Sequence, residues 1–278
     1  DGVVAGGGRH DRERGGDAVR DVAIKGDRIA AVAADIPSSR AQRTVDVTGL
    51  LVTPGLIDIH VHVYAGTGER NSYAGDNSVY PDGFTFRAGV TTVADAGGAG
   101  WRNFDDFRDR IINRSLTRVL AFLNIVGNGM RGGKLEQDLS DMEVKPTADT
   151  ALKHKGLIVG IKSAHYAGRD WAPFERGEEA ARIAGVPFMV DFGNNFPERP
   201  LYDLLNKVYR PGDIYTHMYS GLRDEQDEAT GGPSRAMIDG RKRGVIFDVG
   251  HGGGSFFWRV AVPMVKAGFI PDTISTDL

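Results

Sequence analysis

The fold is decided by the stretch Leu56-Ile57-Asp58-Ile59-His60-Val61-His62-Val63, which follows Val52-Thr53-Pro54-Gly55. Alternate side chains of a strand point to the same face, so His60 and His62 share one face and apolar residues fill the other. Two imidazoles on one face of an apolar strand are a suitable pair of metal ligands. A His-x-His pair can also be purely structural, with each ring satisfied by a hydrogen bond, and the rest of the chain must decide.

Composition excludes several function classes. The 278 residues carry a formal net charge of −3, which gives no electrostatic footprint for nucleic acid. The absence of cysteine excludes a disulfide scaffold and a thiolate zinc site. No apolar run is long enough to span a membrane, and the first residues do not resemble a secretory signal. We therefore expect a cytoplasmic protein that binds neither nucleic acid nor a membrane, with a homo-oligomer left open.

Residues 1–50 predict a small β-sheet unit. Strand patterns cover residues 21–25, 28–32 and 43–47, with a turn at Gly26-Asp27 between the first two. The Gly-, Arg- and Asp-rich stretch from Gly6 to Asp17 is expected to be a loop. This unit is not expected to carry the chemistry.

Residues 51–278 alternate between apolar strands and amphipathic helices, a pattern typical of a parallel sheet covered by helices. The strand candidates are 56–63, 90–96, 118–126, 157–163, 187–192, 213–219, 245–250 and 273–278. The helix candidates are 82–88, 103–115, 148–154, 172–184, 199–209, 234–243 and 256–267. Eight strands in this order predict an α/β fold of the (β/α)₈, TIM-like barrel type. A doubly wound open sheet is the alternative, but no Gly-rich phosphate motif follows the first strand. Because the chain stops at the eighth strand, without an eighth helix, we expect it to be part of a longer protein.

In such barrels the chemistry lies at the carboxyl ends of the strands. The polar residues expected at these ends are His60, His62, Lys162, Asp191, His217, His251 and Asp277. Each alone is weak evidence, since a strand-end Asp is often a helix cap and a lone His is often structural. Together they favour a metal site, and nitrogen and oxygen ligands without thiolate suit Zn²⁺, with Mn²⁺ and Fe²⁺ as alternatives.

Lys162 interrupts an apolar strand, and burial lowers the pKa of a lysine. It could pair with a carboxylate, as buried lysines usually do, or react with CO₂ to form a carbamate that bridges two metal ions. Three loop residues, His165, Tyr166 and Arg131, are candidates for contact with a substrate. Both interpretations of Lys162 remain open at this point.

The chain resembles the amidohydrolase superfamily. Residues 52–62 are very close to its opening motif, and residues 21–55 resemble its N-terminal β-sandwich strands. Gly160-Ile161-Lys162 resembles the strand that bears its carboxylated lysine, whereas Tyr215-Thr216-His217 and Ser275-Thr276-Asp277 resemble its later ligand strands. The run from Phe247 to Gly252 is similar to the deacetylase-like branch, which is related to dihydroorotases and D-aminoacylases. The resemblance implies a β-sandwich segment over 1–50 and a metal-binding barrel over 51–278.

The resemblance also implies two divalent metal ions. His60, His62 and Asp277 would hold the first ion, and carboxylated Lys162 would bridge to the second. His217 would complete the second site with a residue of the fifth strand, which is usually histidine in the family and is Asp191 here. A carboxylate can replace imidazole as a zinc ligand, but this departure could also leave the second site altered or empty.

The implied reaction is hydrolysis of an amide or ester acyl group, as in a deacetylase. A hydroxide bridging the metals would be the nucleophile, with Asp277 as general base and then general acid. His251 would orient the substrate or stabilise the oxyanion. Two alternatives stay open: a cyclic-amide hydrolase of dihydroorotase type, and a non-catalytic assembly protein with an amidohydrolase fold.

Overall fold

The computed structural model describes residues 2–9 and 18–278, and the chain divides into two units. The first unit is Asp1–Gly55 and the second is Leu56–Leu278. The expected boundary lay after residue 50, whereas Leu51–Val52 is a strand paired within the first unit. Among the described helices, none is both long and apolar enough to cross a membrane.

The described part of the first unit is a five-stranded sheet in the order β3-β2-β1-β4, with β5 also paired to β1. Its strands are β1 (Gly2–Arg9), β2 (Ala18–Lys25), β3 (Arg28–Ala33), β4 (Arg43–Asp46) and β5 (Leu51–Val52). Strands β2 and β3 form an antiparallel hairpin whose turn contains Gly26 at a φ of 61°.

The expectation of a loop beginning at Gly6 is wrong for the residues up to Arg9. These residues belong to β1, which pairs with β2 on one side and with β4 and β5 on the other. Glycine has a poor intrinsic strand propensity, but pairing on both sides overrides it. The rest of the expected loop, residues 10–17, lies outside the described residues.

The second unit is built on a seven-stranded parallel sheet in which each strand lies beside its neighbour in sequence. Its strands are β6 (Leu56–Val61), β7 (Val90–Gly100), β8 (Arg118–Asn124), β9 (Ile158–Ser163), β10 (Phe188–Val190), β11 (Ile214–Tyr215) and β12 (Ile246–Phe247). The strand order and the solved structures described below confirm the predicted TIM-like barrel.

Residues 273–278 lie between the last strand and the first one. Val249 N donates to Thr273 O at 3.1 Å on one side, and Asp277 N donates to His60 O at 2.7 Å on the other. The segment closes the ring of strands, but the prediction of a regular eighth strand is wrong. Asp277 has a φ of 53°, which interrupts the extended conformation.

Helices follow most strands, as expected. They are α1 (Phe104–Phe107), α2 (Val144–Lys153), α3 (Ala172–Ala184), α4 (Leu201–Asp203), α5 (Arg235–Lys242) and α6 (Trp258–Lys266). Single π turns, Arg108–Ile112 and Leu204–Val208, extend α1 and α4. The helix expected over 82–88 is instead two 3₁₀ turns, Pro81–Gly83 and Phe86–Ala88, since a segment this short does not sustain α-helical bonding.

The sheet of the second unit is buried on both faces. A large cluster that includes Leu123, Phe188 and Phe247 lies on one face, and a smaller one that includes Phe122 and Met189 lies on the other. Because alternate residues face opposite sides, Lys162 shares the inner face with Met189. The fold therefore places polar side chains from several strands inside the barrel.

Candidate metal centre

Three side chains form the centre of the site: His60, His62 and Asp277. One ligand atom of each lies within 4.8 Å of the other two. Oδ1 of Asp277 is 3.2 Å from Nε2 of His60 and 3.0 Å from Nε2 of His62. Nowhere else in the described part of the chain do three His, Asp or Glu side chains meet in this way. Two imidazoles and a carboxylate are a donor set that suits a divalent cation such as Zn²⁺.

A chain of hydrogen bonds orients His60. The Thr216 hydroxyl donates to Oδ2 of Asp248 at 2.8 Å, so it accepts from Nδ1–H of His60 at 2.9 Å. Nε2 of His60 is then the nitrogen available to a metal ion. Burial and the nearby Lys162 disfavour the protonated ring, but the carboxylates of Asp248 and Asp277 raise the pKa of His60 on balance. Binding of an ion must therefore displace a proton from this site.

His62 is buried and carries a nitrogen without a hydrogen-bond partner, Nδ1. Burial lowers the pKa of His62, which keeps the ring neutral as a metal ligand must be. The ring also packs against Tyr73, with centroids 4.6 Å apart. Nε2 of His62, 3.0 Å from Oδ1 of Asp277, is the nitrogen that faces the centre of the site.

The carboxylate of Asp277 is positioned by an unusual backbone. Both Asp277 and Gly252 have left-handed conformations, with φ of 53° and 51°. A Cβ at position 252 would overlap with Oδ2 of Asp277, so glycine is needed there. Burial raises the pKa of Asp277, but hydrogen bonds from His60 and His62 outweigh it and hold that pKa well below its usual range. The side chain is an ionised acceptor at the floor of the site.

Lys162 lies fully buried beside this centre. Its Nζ is 3.3 Å from Nε2 of His60 and 3.6 Å from Sδ of Met189. Of the carboxylates that the structure describes, none forms an ion pair with it. Burial is the largest influence on its pKa and lowers it, which favours a neutral, nucleophilic amine. The geometry matches a reactive lysine better than a salt-bridged one.

Across the barrel, Asp191 is paired with a buried arginine. Nη2 of Arg223 donates to Oδ1 of Asp191, while Oδ2 lies 3.8 Å from Nε2 of His217 and 3.7 Å from Nε2 of His165. Burial raises the pKa of Asp191, but His217 and Arg223 outweigh it, so the carboxylate is ionised. Nδ1 of His217 bonds to Gly250 O at 2.7 Å, and burial lowers the pKa of this ring to about 4.

These side chains line one cavity of about 320 Å³. It brings together all the residues predicted to bind metal, which are His60, His62, Lys162, Asp191, His217 and Asp277. Gly253 and Gly254 line it too. The volume suits a small molecule rather than a polymer.

Of the four candidates for substrate contact, Tyr166 is buried, and its hydroxyl donates to Oδ2 of Asp170 at 2.9 Å. The other three are placed differently from one another. His165 lines the cavity, and its Nδ1 is 2.8 Å from Oε2 of the buried Glu136. Arg131 lies at a neighbouring cavity, where it pairs with Glu69. His251 is exposed and stacks on Phe256, with centroids 4.8 Å apart. Of the three, the structure brings only His165 to the predicted metal ligands.

Sequence reasoning missed several contributors. Asp248 is a carboxylate inside an apolar strand, and this signal could have predicted its role beside the site. Arg223 and Tyr73 lie in loops, where no periodic pattern marks a residue that points inward. Their positions depend on how the loops fold back over the barrel, and local sequence does not encode this.

Comparison with known proteins identifies relatives. A deacetylase of Agrobacterium fabrum is 34% identical over 272 residues, covering 93% of this chain and 63% of that protein. A deacetylase of Enterococcus faecalis is 31% identical over 265 residues, covering 93% of this chain and 69% of that protein. The crystal structure of an adenine deaminase matches with a TM-score of 0.87 at 29% identity, covering 100% of this chain and 73% of that one.

The chain spans 63% of the length of the Agrobacterium relative, which is less than two thirds. No family model matches it. The deacetylase relatives and the fold of the adenine deaminase nevertheless agree on the family. The chain belongs to the amidohydrolase superfamily, in its deacetylase-like branch.

Proposed function

We propose that the protein is a metal-dependent hydrolase that removes an acyl group from an amide or ester of a small molecule. The observation that carries the proposal is the group His60, His62 and Asp277 at one cavity in a chain related to deacetylases. The cavity of about 320 Å³ accommodates an acyl group with a small leaving part.

His60, His62 and Asp277 are the residues proposed to hold the ion, which we expect to be Zn²⁺. Such an ion supplies a water molecule of lowered pKa, roughly 7, and polarises a carbonyl group. Thr216 and Asp248 fix the ring of His60 so that Nε2 faces the centre. Their role is to hold the ligand in place before substrate arrives.

Asp277 is proposed to move the proton. Its carboxylate is ionised and partly open to the cavity, with its side chain 17% exposed. It can accept the proton of the attacking water and pass it to the leaving nitrogen or oxygen. His165, held by Glu136, and Tyr73 stand at the same cavity and are proposed to contact the substrate.

The proposal includes carboxylation of Lys162. The nitrogen lone pair of the neutral amine attacks CO₂, a nitrogen–carbon bond forms and one proton leaves, which gives an anionic carbamate. Support comes from the buried Nζ, which forms no ion pair with a described carboxylate, and from the resemblance of its strand. A second ion would additionally need Asp191 and His217, and the pairing of Asp191 with Arg223 does not fit that arrangement.

Hydrolysis of a cyclic amide is the second candidate, because dihydroorotases are also among the relatives. A non-catalytic role is less well supported, since His60, His62 and Asp277 form a group that could hold a metal ion. Purified protein should be assayed against N-acetyl and O-acetyl compounds and against dihydropyrimidine rings. We expect acetate release that stops after chelation and resumes with Zn²⁺. Ring opening without acetate release would favour the second candidate.

Asp277→Asn provides the control for this assay. We expect turnover to fall by at least about a thousandfold, since several kcal/mol of transition-state stabilisation depend on the metal centre. An unchanged circular dichroism spectrum would show that the fold is kept. Wild-type turnover in this variant would contradict the mechanism.

A further inference from the structure

We propose that the buried ion pair between Asp191 and Arg223 takes the place of a second metal ion, so that each chain binds one divalent cation. The inference rests on the metal centre of the proposed function and concerns the opposite side of the same cavity. It departs from the pair of ions that the family resemblance implies. The positive charge that the family obtains from a metal comes here from a guanidinium group.

Arg223 is held in place on several sides. Its side chain is only 2% exposed. Beside its bond to Asp191, its Nε donates to Gly193 O at 2.6 Å and its Nη1 donates to Ser220 Oγ at 3.2 Å. Oε1 of Glu225 lies 3.8 Å from Nη1. A guanidinium bonded in several directions is pre-organised and cannot swing away to admit a cation.

This pairing removes Asp191 as a free ligand. Oδ1 accepts from Arg223 and also from Gly193 N at 3.2 Å. A dication coordinated by Asp191 would stand close to the guanidinium in a buried site, where like charges repel strongly because solvent screening is weak. Arg223 already balances the charge of Asp191, so Asp191 adds no net negative charge that would favour a second ion.

The remaining donors do not build a second site. Oδ2 of Asp191 is 3.8 Å from His217 and 3.7 Å from His165. Among the described residues, however, these three do not form a group as close as the one around Asp277. His165 is also tied to Glu136 through its other nitrogen. An ion held by His165, Asp191 and His217 is the rival arrangement.

The number of metal ions bound per chain distinguishes the one-ion arrangement from the rival arrangement with a second ion. Purified protein would be dialysed against metal-free buffer, reloaded with excess Zn²⁺, freed of unbound metal and analysed by inductively coupled plasma mass spectrometry. We expect one ion per chain. Two ions per chain would overturn this inference and leave the proposed function intact. A protein that binds no ion would contradict the proposed function, and the inference with it.

A double variant tests whether the pair of Asp191 and Arg223 is what excludes a second ion. The double variant Asp191→His/Arg223→Met restores the family's usual histidine and removes the guanidinium, and we expect it to bind two ions. A folded double variant that still binds one ion would overturn the role given to the pair.

A second comparison remains informative if the double variant does not fold. We expect His217→Ala to keep the metal content of the wild type, because His217 holds no ion in this arrangement. His62→Ala is the matched control and should lose the ion. A loss of metal in His217→Ala would overturn the inference.

Discussion

The backbone at Gly252 controls the position of Asp277. Gly252 has a left-handed φ of 51°, and a Cβ there would overlap with the Asp277 carboxylate. Left-handed backbone costs an ordinary residue roughly 1–2 kcal/mol. The clash would also displace the metal-binding carboxylate. Substitution of Gly252 should therefore weaken metal binding as well as destabilise the fold.

We therefore predict that Gly252→Ala lowers metal affinity by about tenfold or more, in the range seen when support of a metal ligand is lost. Titration with Zn²⁺ in a competing chelator measures it. Gly253→Ala is the matched control, because its φ is ordinary and its new Cβ meets no atom within 4 Å. Equal affinity in the two variants would contradict the role assigned to Gly252.

Asp248 acts on the metal centre through its neighbours. It accepts hydrogen bonds from Thr216 at 2.8 Å and from Ser275 at 2.7 Å, and Thr216 in turn orients His60. We predict that Asp248→Asn weakens metal binding by about 10- to 100-fold. The same titration checks it, with Asp149→Asn on the surface as control. Unchanged affinity would show that this chain of bonds does not orient His60.

At the level of single residues, the sequence predicts the candidate metal ligands better than the residues that hold those ligands in place. His60, Lys162 and Asp277 stand out because polar side chains in apolar strands are rare and costly. Arg223 does not stand out, since an arginine in a polar loop is ordinary until the loop folds inward. The placement of His251 shows the same limit, because its ring packs on Phe256 rather than into the cavity.

At the scale of elements, strands buried on both faces hold the barrel together. Phe188 in β10 is fully buried. Its ring packs so closely on Gly177 of α3 that a Cβ at position 177 would overlap with the Phe188 ring. Removing its ring leaves a cavity that the surrounding elements cannot fill.

We predict that Phe188→Ala lowers the free energy of unfolding by about 3–5 kcal/mol. Urea denaturation measures the loss. Leu116→Ala, at a side chain 85% exposed, should change stability by less than about 0.5 kcal/mol. A loss at Phe188 no larger than at Leu116 would contradict the packing described for β10.

Tyr64 ties the loop after β6 to α1, donating to Oδ2 of Asp106 at 2.7 Å. Burial, and then this carboxylate, raise the pKa of Tyr64 well above its ordinary value of 10.0. Below pH 10 the phenol is protonated in the folded and the unfolded chain, and its contribution to stability is complete. As the pH rises above about 10, the unfolded chain loses the proton first and this contribution disappears.

We predict that Tyr64→Phe is less stable than wild type at neutral pH but loses less stability between about pH 9 and 11. Free energies of unfolding in urea at each pH provide the comparison. A steeper loss in the variant than in the wild type would contradict the raised pKa. Buried Tyr209 and Tyr215, whose pKa values burial also raises, leave part of the alkaline loss in both proteins.

Element type was predictable where periodicity was strong. Helix α3 has the bounds that the sequence predicts, with Gly185 ending it in the left-handed conformation. The later strands are shorter than expected, as in β11 and β12, because their ends turn away to place ligands. The second half of strand β1 was predicted as a loop because it is rich in glycine. Pairing with its neighbouring strands, which local sequence does not show, makes this segment extended.

At the scale of the whole molecule, the alternation of strands and helices was enough to predict the barrel. Closure was less predictable, since residues 273–278 join the first strand through backbone bonds around a left-handed Asp277. That conformation comes from the site rather than from a strand pattern. The predicted ligands converge because consecutive parallel strands bring their carboxyl ends to one side of the barrel.

The central claim is that His60, His62 and Asp277 hold a catalytic metal ion. The most direct measurement is anomalous diffraction at the zinc edge from crystals of the zinc-loaded protein. We predict one strong peak in contact with these three side chains and none between Asp191 and His217. A peak elsewhere, with none beside Asp277, would contradict the account.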